Sequence, residues 1–277
     1  MMLHEIKEKS VRFSKKSIPL IEFKNITVLK GKGQKVLDSL SLKIFEGENI
    51  AILGPNGSGK SSLIKLITRE YYPLPQKSEW TFNIWGQDSW DIFDLRYLLG
   101  IVSNDLQYVC NREITGMEMV LSGFFSSIGL FKEHLTAKMK KKARQVLEFL
   151  EIEHLHDRRM DRMSFGEARR FLIARALVHE PKALILDEPA NSLDLHALYK
   201  FSNILSKIAK TGTSIILVTH NISDIIPEIK RVILMKSGKI YQDGNKESIL
   251  TQENMTKLFE ASVEIRQKDG YYYALRE

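Results

Sequence analysis

The chain has 277 residues, enough for about two ordinary domains or one large α/β domain with a sizeable core. Hydrophobic residues make up 43% and charged residues 27%, which excludes wholesale disorder and collagen-like repeats. The 41 Lys and Arg against 34 Asp and Glu leave a net charge of +7, which suits anionic partners without selecting one, and a lone Cys110 excludes a disulfide framework or cysteine-cluster metal site.

Residues 1–17 are polar and basic and read as a loose extension without the apolar stretch of a secretory leader. Strands are predicted at 18–23 and 36–44, separated by the turn cluster 31–35. A short apolar strand at 50–53 runs into a glycine-rich loop, and a helix follows over 61–69 until Pro73 and Pro75 break the chain. Further strands are predicted at 84–86 and 98–103. From 112 to 163 the pattern turns helical: Met139, Ala143, Val146, Leu147 and Leu150 share one face over 136–150. This stretch reads as a helical subdomain inserted into an α/β core spanning 18–247. Strands at 183–187 and 214–219 flank a helix over 195–209, and 232–235 forms a hairpin with 239–241 through Ser237-Gly238. Alternating strands and helices predict a mostly parallel sheet. The tail, 248–277, is expected to add a helix and a last strand to the same domain. No apolar run approaches the roughly 18 residues that span a bilayer.

Three segments carry chemistry. Gly54-Pro55-Asn56-Gly57-Ser58-Gly59-Lys60-Ser61 fits G-x-x-x-x-G-K-[ST] in full, between a strand and a helix. Its glycines let successive N–H groups turn inward around phosphate oxygens at a helix N-terminus. Lys60 then reaches the outer phosphates and the Ser61 hydroxyl meets Mg²⁺, with Ser62 next in the helix. Ala183-Leu184-Ile185-Leu186-Asp187-Glu188 is a buried strand ending in two carboxylates. In open α/β sheets that edge faces the ligand, which places Asp187 at the metal and Glu188 at an attacking water. Ser164-Phe165-Gly166-Glu167 opens a helix and fits a capping box, although a capped, glycine-bearing N-terminus also binds anions. His220 closes the strand 214–219 at the same sheet edge.

Taken in order, these segments resemble an ATP-binding-cassette (ABC) ATPase over residues 21–244. The resemblance implies a P-loop NTPase fold with a mostly parallel core sheet, an antiparallel β subdomain and an inserted helical subdomain. Residues 54–61 correspond to the Walker A loop, Ser164 and Gly166 to the signature, 183–188 to Walker B with its catalytic glutamate, Asn191-Ser192-Leu193-Asp194 to the D-loop and His220 to the switch histidine. It further implies ATP and Mg²⁺ as ligands and a head-to-tail pair of cassettes, in which each ATP meets Walker A of one copy and the signature of the other. Asp194 would communicate across that interface.

The chain departs from the family pattern at three places. Phe165 and Glu167 replace the commonest signature residues. Val28, Leu29 and Lys30 stand where an adenine-stacking aromatic is usual. In the Q-loop either Asn104 or Gln107 is the metal or water ligand. Only 60 positions separate Asn104 from Ser164, which suits a transporter-type helical subdomain rather than a coiled-coil insert. The 120–129 stretch is similar to small bacterial ATP-binding subunits, some of them associated with metal or molybdate uptake. The reading is therefore an ATP-hydrolysing transporter subunit, peripheral at the inner membrane face and acting on separate permease subunits. The alternative is a soluble ATPase acting on nucleic acid or a regulatory partner. The basic residues at 138–144, 158–159 and 169–170 read as solvated helix faces.

Overall fold

The computed structural model describes residues 18–103, 113–125 and 135–276. Asn104, Gln107, Cys110 and the 126–129 part of the uptake-like stretch lie outside them. The described chain opens with β1 (Pro19–Lys30) and β2 (Gln34–Phe45), joined by a tight turn at 31–33. Then come β3 (Ile50–Leu53), α1 (Lys60–Ile67), β4 (Thr81–Ile84), α2 (Ile92–Leu98) and β5 (Leu99–Val102). The helical part holds α3 (Gly116–Ser122), α4 (Ala137–Phe149) and α5 (Phe165–Leu177). The core resumes with β6 (Ala183–Asp187), α6 (Leu195–Ala209), β7 (Ser214–Thr219), β8 (Arg231–Lys236) and β9 (Lys239–Asn245). It closes with α7 (Lys246–Ile249), α8 (Gln252–Phe259), β10 (Val263–Lys268) and β11 (Tyr271–Arg276).

The strands form a six-stranded sheet in the order β5-β6-β7-β3-β8-β9, a three-stranded sheet β2-β1-β4 and the two-stranded β10-β11. All pairs of the large sheet are parallel except β8 with β9. Its central strands are buried on both faces, so their side chains alternate between two cores. Leu53, Leu184, Leu186, Ile215 and Leu217 join the helical face, whereas Ile50, Ile52, Ile185, Ile216 and Val218 pack beneath β1, β2 and α1.

The order β6-β7-β3 has a direct functional consequence. Leu53 pairs with Thr219, and Asp187 pairs with Val218. The carboxyl ends of three neighbouring strands therefore bring the glycine-rich loop, the Asp187-Glu188 pair and His220 to one edge. The helical part is held by caps: Thr115 and Glu118 close a capping box on α3, and Thr136 caps α4. The tyrosine Tyr97 reaches across from α2 and donates to the Phe124 carbonyl at 3.2 Å.

Local boundaries differ from expectation in several places: β1 runs on to Lys30 instead of ending at 23, and β9 to Asn245 instead of 241. The strand expected at 84–86 ends at Ile84, because Trp85 and Gly86 both take positive φ and turn the chain. The helix α2 was not anticipated; Asp91 starts it by accepting from the Phe93 and Asp94 amides. The tail folds as two short helices and a hairpin instead of one helix and one strand.

Candidate nucleotide site

The loop 54–61 is fixed from both sides. The Gly54 amide donates to the Thr219 carbonyl at 3.3 Å, and the Gly238 amide donates to the Ser58 carbonyl at 2.9 Å. Gly59 has φ +103, and a Cβ there would lie 2.9 Å from the Val36 carbonyl oxygen, so glycine is the residue that fits. It also starts α1 with no side chain capping the first turn. In contrast, Asp91, Thr115, Thr136, Ser164, Asp194 and Thr251 cap their helices with side-chain oxygens. An uncapped helix N-terminus in a glycine loop presents bare N–H donors, the arrangement that holds phosphate. The Ser58 hydroxyl points the same way: it is buried with no hydrogen-bond partner.

Lys60 is buried and donates to the Gly54 and Pro55 carbonyls at 2.8 and 3.1 Å. Its ammonium lies 3.6 Å from Glu188 Oε1. Burial pushes this lysine below its usual range, opposed by Glu188 and then Asp187. Glu188 Oε2 lies 3.0 Å from His220 Nδ1 and accepts from the Asn191 amide at 2.6 Å. Burial alone would raise the Glu188 carboxyl, but Asn191, His220 and Lys60 together hold it below the ordinary carboxylate range. Glu188 also sits at φ +47, a strained backbone of the kind that clusters at functional sites, costing about 1–3 kcal/mol. Lys60, Glu188 and His220 thus converge as expected. Asn191 is the contributor that the sequence placed in the D-loop without a role.

Asp187 ends β6 half-buried, and Ser61 stands exposed in the first turn of α1. A hydroxyl and a carboxylate are hard oxygen donors of the type Mg²⁺ takes beside phosphate oxygens and water. Among the described residues there is no cluster of three or more His, Cys, Asp or Glu, so no all-protein metal cage competes with that reading. Behind Asp187 lies a correction to the solvated-face expectation. Arg169 is only 2% exposed, and burial pushes its guanidinium down to about 10 against the pull of Asp187. Arg158 and Arg159 instead pair on the surface with Glu167, Asp161 and Glu113.

A second cluster forms elsewhere on the surface. Ser164 caps α5 in a complete capping box: its hydroxyl accepts from the Glu167 amide, and Glu167 accepts from the Ser164 amide at 2.8 Å. Asp194 caps α6 by accepting from the Ala197 amide at 2.7 Å. Ser164, Gly166, Asp194 and Lys200 line one cavity, to which no residue of 54–61 contributes. The exposed Ser164 and Asp194 therefore gather apart from the loop that holds Lys60.

A groove between the core and the helical part is lined by Thr68, Glu70, Arg96, Gly123, Arg175 and His179. Burial, then the Arg175 cation, pushes His179 down to about 4, so its ring is neutral. Phe93 and Tyr97 are exposed on the neighbouring α2.

A parallel sheet whose strand ends gather a phosphate loop, an ionised glutamate and a histidine defines a P-loop ATPase. The comparisons narrow this class. The family model described as ABC transporter matches residues 37–191, more than half the chain. A Streptococcus mutans protein named for the ATP-binding role in an ABC transporter is 35% identical over 248 residues, covering 89% of this chain and 94% of its own. The solved ADP conformation of an ABC transporter's ATP-binding cassette superposes with TM-score 0.73 at 26% identity, over 87% of this chain and 97% of the other. A cassette solved as a dimer in its post-hydrolysis state with ADP and phosphate gives TM-score 0.66 at 26% identity, over 81% and 98%. The chain belongs to the ATP-binding cassettes of ABC transporters, a family that binds and hydrolyses ATP. Cassettes of this family form dimers. Among the described residues, no helix is long and apolar enough to cross a membrane.

Proposed function

We propose that two copies of this chain close head-to-tail around ATP, and that this closure drives a separate membrane permease. The observation carrying the reading is the division of the site. Lys60, Glu188 and His220 sit together, while Ser164, Gly166 and Asp194 gather in a cluster that lacks the phosphate loop. Each cluster is half of a nucleotide site, and a second copy supplies the other half.

In the closed pair, the amides of 57–61 and the Lys60 ammonium neutralise phosphate charge. The Ser164 hydroxyl and the N-terminus of α5 face the same phosphates from the partner copy. Ser61 and Asp187 would hold Mg²⁺, which would supply neutralisation of phosphate charge. Glu188, ionised at neutral pH, accepts the proton of the attacking water. His220, 3.0 Å from Glu188, fixes that carboxylate and contacts the transferred phosphoryl group. Asp194 reports closure across the interface through α6. Either Asn104 or Gln107 would be the further Mg²⁺ or water ligand.

The groove lined by Arg96, Arg175 and His179 is the site proposed for a permease helix, with Phe93 and Tyr97 as its apolar rim. Peripheral attachment to the inner membrane face follows from that docking. The 120–129 stretch supports a place near the small bacterial ATP-binding subunits, some of them associated with metal or molybdate uptake, while the permease sets the cargo and its direction.

Mixed subunits test the two-copy site. Lys60→Ala and Ser164→Arg variants are each expected to be inactive alone. Mixed in equal amounts, half of the dimers carry one intact composite site of two, so recovery of about a quarter of the wild-type rate is expected. Failure of recovery, with both variants folded and able to associate, would overturn the two-copy reading.

A further inference from the structure

The C-terminal hairpin lies outside the motifs, yet it is packed onto the loop that carries His220. The strand β11 contacts the 222–224 turn, two residues beyond the histidine. Tyr272, only 4% exposed, belongs to the same buried cluster as Ile222, Ile225 and Ile226. At the hairpin tip, Gly270 takes φ +79 and lies so close to Pro227 that a Cβ would be 3.0 Å from the proline ring.

A buried lysine ties these pieces together. Lys246 is 3% exposed, and its ammonium donates to the Gly270 carbonyl at 3.1 Å, to Pro227 at 3.3 Å and to Ile226 at 3.4 Å. It also lies 5.7 Å from the Tyr272 ring centroid. One cation therefore joins α7, the tip of the hairpin and the 226–227 segment. Three carbonyls satisfy its three N–H donors, so the charge is tolerated in a place where an apolar side chain would leave those acceptors bare.

The same loop is locked internally. Thr219 Oγ1 donates to the buried Asp224 carboxylate at 2.5 Å and accepts from the Asn221 amide at 3.0 Å. His220 stands between these two anchors. Its position opposite Glu188 thus depends on Thr219, Asn221 and Asp224 inside the loop and on Lys246 and Tyr272 behind it.

We infer that the β10-β11 hairpin, stapled by Lys246, is a positioning brace for His220, and that Lys246 and Tyr272 are positioning residues of the ATPase. This rests on His220 acting at Glu188 as proposed above. Displacing a reactive group by about 1 Å from a remote site can cost up to a hundredfold in rate. The Lys246 ammonium donates to residues 226, 227 and 270 and not to the phosphate loop, so nucleotide binding is expected to change little.

The test uses the full chain with Lys246→Met, Lys246→Arg and Tyr272→Ala, assayed well below each variant's Tm. Lys246→Met and Tyr272→Ala are expected to lower kcat by about tenfold or more with KM for ATP within about twofold. Arginine at 246 keeps the cation and its donors, and it is expected to recover part of kcat. The amide and side-chain NMR signals of His220 are expected to shift in the two damaging variants only. Wild-type kcat in folded Lys246→Met and Tyr272→Ala would overturn the inference, as would a fall in ATP affinity equal to the fall in kcat. His220→Ala separates the two readings: if that variant keeps full activity, the proposed role of His220 fails first.

Discussion

Asn191 offers the sharpest probe of how Glu188 is kept ionised. Asn191→Ala removes the amide that donates to Glu188 Oε2 at 2.6 Å and leaves His220 in contact. A hydrogen bond to a charged group is worth about 1.5–3 kcal/mol. Taking the low end because His220 remains, and 1.36 kcal/mol per unit, the Glu188 pKa should rise by about one unit. If ionised Glu188 accepts the proton from water, the acid limb of kcat moves up by the same amount, read from steady-state phosphate release across pH. The sign of the stability effect follows from linkage. Glu188 is held below its unfolded value, so its contribution is full above that unfolded value and is lost as pH falls through the folded one. The variant should lose about 1.5 kcal/mol at neutral pH, and the difference should close in acid. An unchanged acid limb in a folded Asn191→Ala protein would refute the assignment of Glu188 as the base.

Other outcomes follow from the same geometry. Gly59→Ala combines φ +103 with a Cβ 2.9 Å from the Val36 oxygen, so calorimetry should show a loss of about 1–3 kcal/mol together with weakened ATP binding. Lys60→Met keeps the buried stem and removes the cation, and equilibrium binding should show ATP affinity about a hundredfold weaker. Lys30 is exposed and ends the 28–30 stretch where the resemblance expects an adenine-stacking aromatic. Lys30→Tyr should strengthen ATP binding by about fivefold, the low end of base-stacking energies, because the ring would be partly exposed. The parent should bind ATP and GTP within a similar factor.

Much of the site could be read in the sequence because its parts are contiguous. The phosphate loop, the Asp187-Glu188 pair and the strand ending in His220 each announce themselves within eight residues. Parallel pairing then forces them to one sheet edge. The helices at 137–149 and 195–209 were equally plain, since their apolar faces repeat cleanly and Thr136 and Asp194 cap them. What stayed hidden was tertiary. Arg169 looks like one more surface charge in a basic helix, and only the tertiary packing of α5 into the core buries it. Asn191 is a local exception: its amide bonds Glu188 only three residues back, across a turn in which Glu188 takes φ +47, a backbone that the D-loop pattern does not announce. The hairpin was half seen: polar alternation in 263–268 is weak, and the Asp269-Gly270 turn that folds it gains its meaning from Pro227, far back in the chain.

The central claim is that ATP-driven closure of this cassette acts on a separate permease, and one measurement addresses it directly. Tagged Glu188→Gln protein, expected to bind ATP, hydrolyse it poorly and hold the closed state, is expressed in its native host and recovered from membranes with ATP present. The account predicts co-purification of a multi-span membrane protein, with recovery reduced by a charge reversal at Arg96 in the groove. A wholly soluble ATP-dependent dimer carrying no membrane partner would contradict it and favour an ATPase that acts without a permease.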